Sequence, residues 1–262
     1  MRLPSVYTDV DGTLLDDDGR LAFAVTTLRE VATRVHLVLT SSRTLDELAA
    51  FTAAWNISAD LIAENGAWIG RTAPTPRSES VCLAGRAWWI RRVGAPRREV
   101  RQAVLDVATA HGVTVDFTDE WSHTTWIAET GQTLEEAKRA RLRRGSVLLR
   151  DASPAVVRAL RQSGLDAEPG GRWTCVTLGA GKGAAARLLA TLSSRSGAMI
   201  GVGDAANDRS LLETADRAFI VRHRNGTVDP ALSRLAPPAT ILASPGPQAW
   251  PELLEHLPPA VR

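Results

Sequence analysis

Three stretches of this chain run apolar and then stop abruptly at a carboxylate or a hydroxyl. They are SVYTDVDG from Ser5, HLVLTSSR from His36 and AMIGVGD from Ala198. A strand exposed on one face alternates apolar with polar residues, whereas one that stays apolar is covered on both faces. Helical spacing lies between these runs. Leu21, Val25, Leu28 and Val31 share one face of LAFAVTTLREVATR, and Leu188, Leu189 and Leu192 share one face of KGAAARLLATLSS. Buried strands separated by helices predict an α/β fold with a Rossmann-like parallel sheet. Such sheets bind ligands at the carboxyl ends of their strands. Asp9, Ser41 and Asp204 fall at those ends and are expected to meet at one edge.

The pattern is interrupted in the middle of the chain. TLDELAAFTAAW reads as a helix capped by Thr44 with Glu47 three residues on, a capping box. DLIAENGAWIG reads as two short strands hinged at Asn65-Gly66. RTAPTPRSES, residues 71–80, has two prolines and no period, and reads as a linker. Beyond it, extended runs (AWWIRRV, TVDFTDE, SVLLRD, RWTCVTL) alternate with the helical segments PRREVRQAVLDVATAHG, LEEAKRARLRR and SPAVVRALRQSG. This predicts an inserted α/β domain with its own sheet. The expected division is 1–80 for the first part of the core, 81–177 for a cap and 178–262 for the rest of the core. The linker and the Thr177–Gly181 segment are the expected hinges of a cap that opens and closes. PQAWPELLEHL reads as a terminal helix, with Trp250, Leu253, Leu254 and Leu257 inward.

Bulk properties exclude several function classes. The 262 residues carry a formal net charge of +2, too small to argue for nucleic acid or a membrane surface as partner. No apolar run reaches the length of a membrane span, and the first residues lack the pattern of a leader. Cys82 and Cys175 stand alone, without metal-ligand spacing, and read as reduced thiols of a cytoplasmic protein.

The acids at the strand ends need an explanation, because clustered carboxylates near a core cannot stay ionised without a cation. Asp9, Asp11, Asp204 and Asp208 offer only oxygen, which selects a hard divalent ion, Mg²⁺. Beside such an ion Asp9 can attack phosphorus. Asp11, two residues on, can protonate the leaving oxygen and later deprotonate a water. Gly12 permits a tight turn that presents N–H groups. Ser41, the Ser42 backbone, Lys182 and Asn207 complete an expected phosphate site. Asp16, Asp17 and Asp18 read as a solvated turn.

DVDGTLLD, TSSR, GAGKG and GDAANDRSLL, in this order, resemble the four motifs of haloacid dehalogenase superfamily phosphatases. The insertion resembles the large α/β cap of the Cof-like branch. Within that branch IAENGAWI, AETGQTLEEAKRARLRR, GGRW, DRAFIVRHRNG and GPQAWPELLEHL are similar to segments of the mannosyl-3-phosphoglycerate phosphatase family. The resemblance implies a Mg²⁺-dependent phosphomonoesterase that forms an aspartyl phosphate on Asp9 and acts on a glycosyl-3-phosphoglycerate, a small phosphorylated metabolite. Another sugar phosphate as substrate, or a phosphomutase using the same phosphoaspartate, are the alternatives. Arg43, Glu64, Asn65, Arg144 and Arg172 are the expected substrate contacts. The chain departs from that family at Arg143-Arg144-Gly145-Ser146, where an Arg-Glu-aromatic-acidic run is expected, and at Cys175, where a His is expected. Cap residues choose the leaving group, so both departures bear on substrate.

Overall fold

The computed structural model describes residues 3–16, 19–21, 23, 25–72, 80–170, 172–193, 197–235 and 238–258. Its strands are β1 (Ser5–Thr8), β2 (His36–Thr40), β3 (Ala59–Ala63), β4 (Trp68–Thr72), β5 (Val81–Leu83), β6 (Arg86–Arg92), β7 (Asp116–Phe117), β8 (Val147–Arg150), β9 (Asp166–Pro169), β10 (Thr174–Thr177), β11 (Met199–Gly203), β12 (Arg217–Arg222) and β13 (Thr240–Pro245). Nine of them form one sheet in the order β13-β12-β11-β1-β2-β3-β4-β6-β5. The run from β13 to β3 is parallel, and β4, β6 and β5 extend it antiparallel. The other four make an antiparallel sheet, β7-β8-β10-β9. The fold is α/β with a parallel-dominated core sheet, and no helix among the described residues is long and apolar enough to cross a membrane.

The apolar runs behave as their composition requires. Val6 and Tyr7 point to opposite faces, and both are buried. On the Val6 face pack Leu28 and Val31 of the helix Val25–Arg34, Leu45 and Leu48 of Leu45–Trp55, and Trp250 and Leu253 of Trp250–Glu255. On the Tyr7 face pack Ala185, Ala186 and Leu189 of the helix Lys182–Leu192, with Leu211. The Thr44–Glu47 capping box forms as expected. Register then sets the site. Thr8 lies level with Val202 on one side and Leu39 on the other, so Asp9, Ser41 and Asp204 emerge at the same edge.

The smaller sheet carries the helices Arg97–Ala110 and Pro154–Gln162 on one face, through Val100, Val104 and Leu160. Its other face is covered by His123–Thr130 and Leu134–Ala140, with Trp126, Ala137 and Ala140 against Leu148 and Cys175. The expected boundary at residue 81 does not coincide with the change of sheet. AWWIRRV is β6, and it pairs with β4 of the larger sheet. An extended apolar segment satisfies its backbone equally well on either sheet, and the β4 edge was the one within reach. We propose that the insertion runs from about Val93 to Thr177. Its two crossing segments touch where Ala95 N–H donates to Leu178 O at 2.9 Å. A hinge at 71–80 is not compatible with this topology, since β4 and β5 flank it within one sheet. Residues 73–79 of that linker, and Asp17 and Asp18 of the expected acidic turn, lie outside the described residues.

One carboxylate joins the two parts. Glu64 and Asn65 begin a short 3-10 turn after β3, both at positive φ (53° and 51°). Glu64 is wholly buried. Its carboxylate accepts from Arg144 N–H at 2.9 Å, Gly145 N–H at 2.9 Å and the Ser146 hydroxyl at 2.7 Å, all in the insertion. Gly66 follows at φ 97°, where an added Cβ would meet Gly181 O at 2.3 Å. The turn is thus wedged between the insertion and the start of the helix Lys182–Leu192.

Two predictions follow from buried acids. Gln at position 64 puts an amide donor where N–H and O–H groups already point, which costs about 1–3 kcal/mol. Glu64→Gln should lower the melting temperature and speed proteolysis between residues 140 and 146. Asp60 lies in β3 beside His36 (3.1 Å) and Arg71 (3.6 Å). Burial raises its pKa to about 7, against the opposing pull of Arg71. An acid whose folded pKa exceeds its unfolded one stabilises the fold while protonated, so its contribution fades as pH rises from about 4 to about 7. Melting curves across that window should show Asp60→Asn gaining on the wild type as pH rises; a constant difference would contradict the assignment.

Candidate active site

Asp9 follows β1 directly, and Lys182 is the first residue of the helix Lys182–Leu192. Its ammonium reaches back into the edge of the sheet. Nζ donates to Asp9 Oδ1 at 2.6 Å and to Asp208 Oδ1 at 2.5 Å. All three residues are buried, as is Asp204. Oxygens of Asp9, Asp204 and Asp208 lie within 4.8 Å of one another.

The three acids are not equivalent. Asp208 is fully committed: its Oδ2 accepts from the N–H groups of Asp204 and Ala205 at 3.1 Å each, and its Oδ1 takes Lys182. It fixes the turn after β11 and the ammonium together. Asp204 accepts from the Thr13 hydroxyl at 2.8 Å through Oδ1. Its Oδ2 lies 2.5 Å from where a Cβ on Gly12 would stand, with Gly12 at φ 80°. Any side chain at position 12 would push Asp204 away, so glycine is required for the close approach as well as for the turn. Asp9 and Asp204 are therefore the acids with oxygens left to serve a ligand.

The electrostatics point the same way. Burial raises the Asp9 pKa well above its ordinary value, and Asp208, Asp204 and Asp11 add to this while Lys182 opposes it. Burial, and then Asp208, push Asp204 up to about 7. Burial would depress Lys182, but the carboxylates of Asp208 and Asp9 outweigh it and raise its pKa. One ammonium does not balance three carboxylates. An all-oxygen cluster short of positive charge fits a hard divalent cation.

The phosphate-site candidates surround this cluster. Ser41 is buried after β2, and its Oγ accepts the Arg43 N–H at 3.1 Å. Ser42 turns its carbonyl outward to Arg143 Nη1 at 3.0 Å. Asn207 makes no hydrogen bond to Lys182 among the described residues. Its Nδ2 donates to Asn65 Oδ1 at 3.3 Å, while its buried Oδ1 has no partner among the described residues.

Several expected roles need correction. The Asp11 carboxylate is not in the acidic cluster. It forms a bidentate pair with Arg43 instead. Glu64 contacts the insertion instead of facing open space for a sugar. Arg144 is tied to Asp46 at 3.0 Å, and Arg172 bonds the Glu129 carbonyl on the insertion's surface. The helix expected through 144 stops at Ala140, which frees Arg143 to reach the Ser42 carbonyl and the Ser146 hydroxyl (2.9 Å). Thr13 was legible as the last member of DVDGT, though its partner Asp204 was not. His223, for which the sequence offered no signal, has its Nε2 2.9 Å from Asp204 O. Trp121, Trp126 and Trp173 pack in a cluster with ring centroids 4.7–6.3 Å apart. Trp88 is buried under β6 in the main core.

Residues 6–78 match the model of a family described as haloacid dehalogenase-like hydrolase. A glucosyl-3-phosphoglycerate/mannosyl-3-phosphoglycerate phosphatase from Methanococcoides burtonii is 24% identical over 243 residues, which cover 87% of this chain and 88% of that protein. Among solved structures, a haloacid dehalogenase-like hydrolase from B. subtilis superimposes with a TM-score of 0.68 at 15% identity, over 97% of this chain and 99% of its own. A Thermoplasma acidophilum protein does so with a TM-score of 0.69 at 14% identity, over 98% of both chains. What the chain shares with them is the fold, here one parallel-dominated sheet with a second, antiparallel sheet beside it. The chain thus has the fold of these haloacid dehalogenase-like hydrolases, and its residues 6–78 carry the sequence likeness to that family.

Proposed function

We propose that the chain hydrolyses a phosphate monoester through Asp9, with Mg²⁺ bound between Asp9 and Asp204. The observation that carries this reading is the buried Asp9–Lys182–Asp208 chain of contacts beside Asp204. A bound divalent ion supplies the positive charge that lets an anionic carboxylate approach an anionic phosphate. The rest falls to side chains. Lys182, Ser41 and backbone N–H groups near Gly12 and Ser42 hold the phosphoryl oxygens. An Asp9 oxygen forms the new P–O bond as the ester P–O bond breaks. Asp11 gives its proton to the leaving oxygen, releasing the alcohol. A water then attacks phosphorus, Asp11 takes its proton, and the P–O bond to Asp9 breaks. Inorganic phosphate leaves, and Asp9 is restored.

The substrate we favour is a glycosyl-3-phosphoglycerate. It is supported by the named activity of the Methanococcoides burtonii relative and by the cations at the seam. The Arg143 guanidinium reaches the Ser42 carbonyl, that of Arg43 reaches Asp11, and residues 79–175 hold 15 basic against 12 acidic residues. A phosphate with a second acidic group suits that rim better than a plain sugar phosphate.

The test is phosphate release from glucosyl- and mannosyl-3-phosphoglycerate and a panel of sugar phosphates, with Mg²⁺ and with EDTA. EDTA should abolish release, and added Mg²⁺ should restore it. Asp9→Asn removes the attacking oxygen's charge and should lower kcat by ~10⁴-fold or more. Turnover by Asp9→Asn at the wild-type rate would overturn the mechanism. A preference for a simple hexose phosphate would overturn the substrate.

A further inference from the structure

Arg43 holds Asp11 by both oxygens. Nη2 donates to Oδ1 at 2.7 Å and Nε to Oδ2 at 2.9 Å, a fork-to-fork pair. The rest of the guanidinium is fastened elsewhere. Nη1 donates to Glu47 Oε1 at 3.1 Å, and the Phe51 ring lies 5.2 Å beneath it. Glu47 is fixed in turn, since its Oε2 accepts from the N–H and hydroxyl of Thr44 in the capping box. Exposure separates the partners: the Asp11 side chain is 45% exposed, against 22% for Arg43 and 8% for Glu47. Arg43 is the fixture, and Asp11 is the member that can leave.

This pairing conflicts with the work assigned to Asp11. With both oxygens committed to a guanidinium at the rim, it is not placed to serve the ester oxygen of a phosphate on Asp9. Something must compete for the fork. The group the fork already holds is a carboxylate, and its own N–H binds the Ser41 hydroxyl of the phosphate site. We infer that Arg43 is an exchange site: the carboxylate of a substrate takes the fork and displaces Asp11, which takes up a proton from water as it leaves the guanidinium and then delivers that proton to the leaving oxygen. Exchange of one carboxylate for another leaves the guanidinium paired throughout. A substrate without that group must break the pair and put nothing in its place. Arg43 is thus a positioning residue acting through Asp11. It selects phosphate monoesters that carry a carboxylate a few bonds from phosphorus, and it does so in kcat as well as in binding. This inference rests on the phosphatase reading above and names the feature its substrate must have.

The two readings are separable with 3-phosphoglycerate and glycerol 3-phosphate, which share a skeleton and differ by carboxylate against hydroxymethyl, and with p-nitrophenyl phosphate as a generic monoester. Wild type should turn over 3-phosphoglycerate with a kcat at least tenfold above that for glycerol 3-phosphate. Arg43→Gln should raise the KM for 3-phosphoglycerate and raise kcat for glycerol 3-phosphate, bringing the kcat ratio near one. Arg43→Lys, which retains a charge toward Glu47 but not the fork, should fall between. An arginine that only bound substrate would raise KM and leave glycerol 3-phosphate no faster, and that outcome overturns the inference. In Asp9→Asn protein, 3-phosphoglycerate should bind at least tenfold tighter than glycerol 3-phosphate by calorimetry. A crystal structure of that complex should show the Arg43–Asp11 pair broken, and an intact pair overturns the inference independently of kinetics. Release from p-nitrophenyl phosphate without the kcat pattern sinks the exchange alone. No release from any monoester sinks the phosphatase reading and the exchange with it.

Discussion

A single ammonium holds this site together. Lys182 sits between Asp9 and Asp208, which are 173 and 26 residues away in sequence, and has almost no contact with solvent. Burying an ion pair gains little by itself, because desolvation consumes most of the attraction. Breaking such a pair is another matter, since the partner left behind is charged, buried and alone. The contact therefore commits the chain to everything that keeps it made. The register of β1 against β11 must put Asp9 level with the turn that follows Gly203. The helix Lys182–Leu192 must start at the edge of the sheet, against Gly66, where no larger residue fits.

The same logic extends to the insertion. Glu64 is an anion in a pocket of N–H and O–H donors contributed by residues 144–146. Those donors belong to the stretch that departs from the pattern expected of the mannosyl-3-phosphoglycerate phosphatase family. Here the helix before the stretch ends about one turn early, the stretch closes on Glu64, and Arg143 reaches the carbonyl of Ser42. Core and insertion thus meet across a seam where Arg143 reaches the Ser42 carbonyl and Arg144 reaches Asp46.

Much of the fold was legible because the signals were local. A continuous apolar run must be buried on both faces, so SVYT and HLVLT announced a covered sheet. Thr44 and Glu47 announced the start of a helix through hydrogen bonds that span three residues. The placement of Asp9, Ser41 and Asp204 at one edge followed from the parallel sheet alone. AWWIRRV was legible as a strand but not as a strand of the larger sheet, because the pairing partner of an extended segment is a matter of which edge lies nearest. Glu64 could not be distinguished from a turn residue, since its donors arrive from 80 residues away. Asp11 was misplaced among the metal ligands because proximity to Asp9 in sequence does not fix a carboxylate's direction, and the guanidinium that claims it comes from 32 residues away.

The sequence alone determined the class of fold, the order of the motifs and the acids that gather at the sheet's carboxyl edge. All of these follow from patterns a few residues long that repeat the physics of burial and capping. Only the tertiary structure decided which acids face one another, which oxygens were already taken, and which arginine commands the rim. Those depend on the directions of side chains from segments far apart, and direction is set by register, turn handedness and competing donors that no single segment contains.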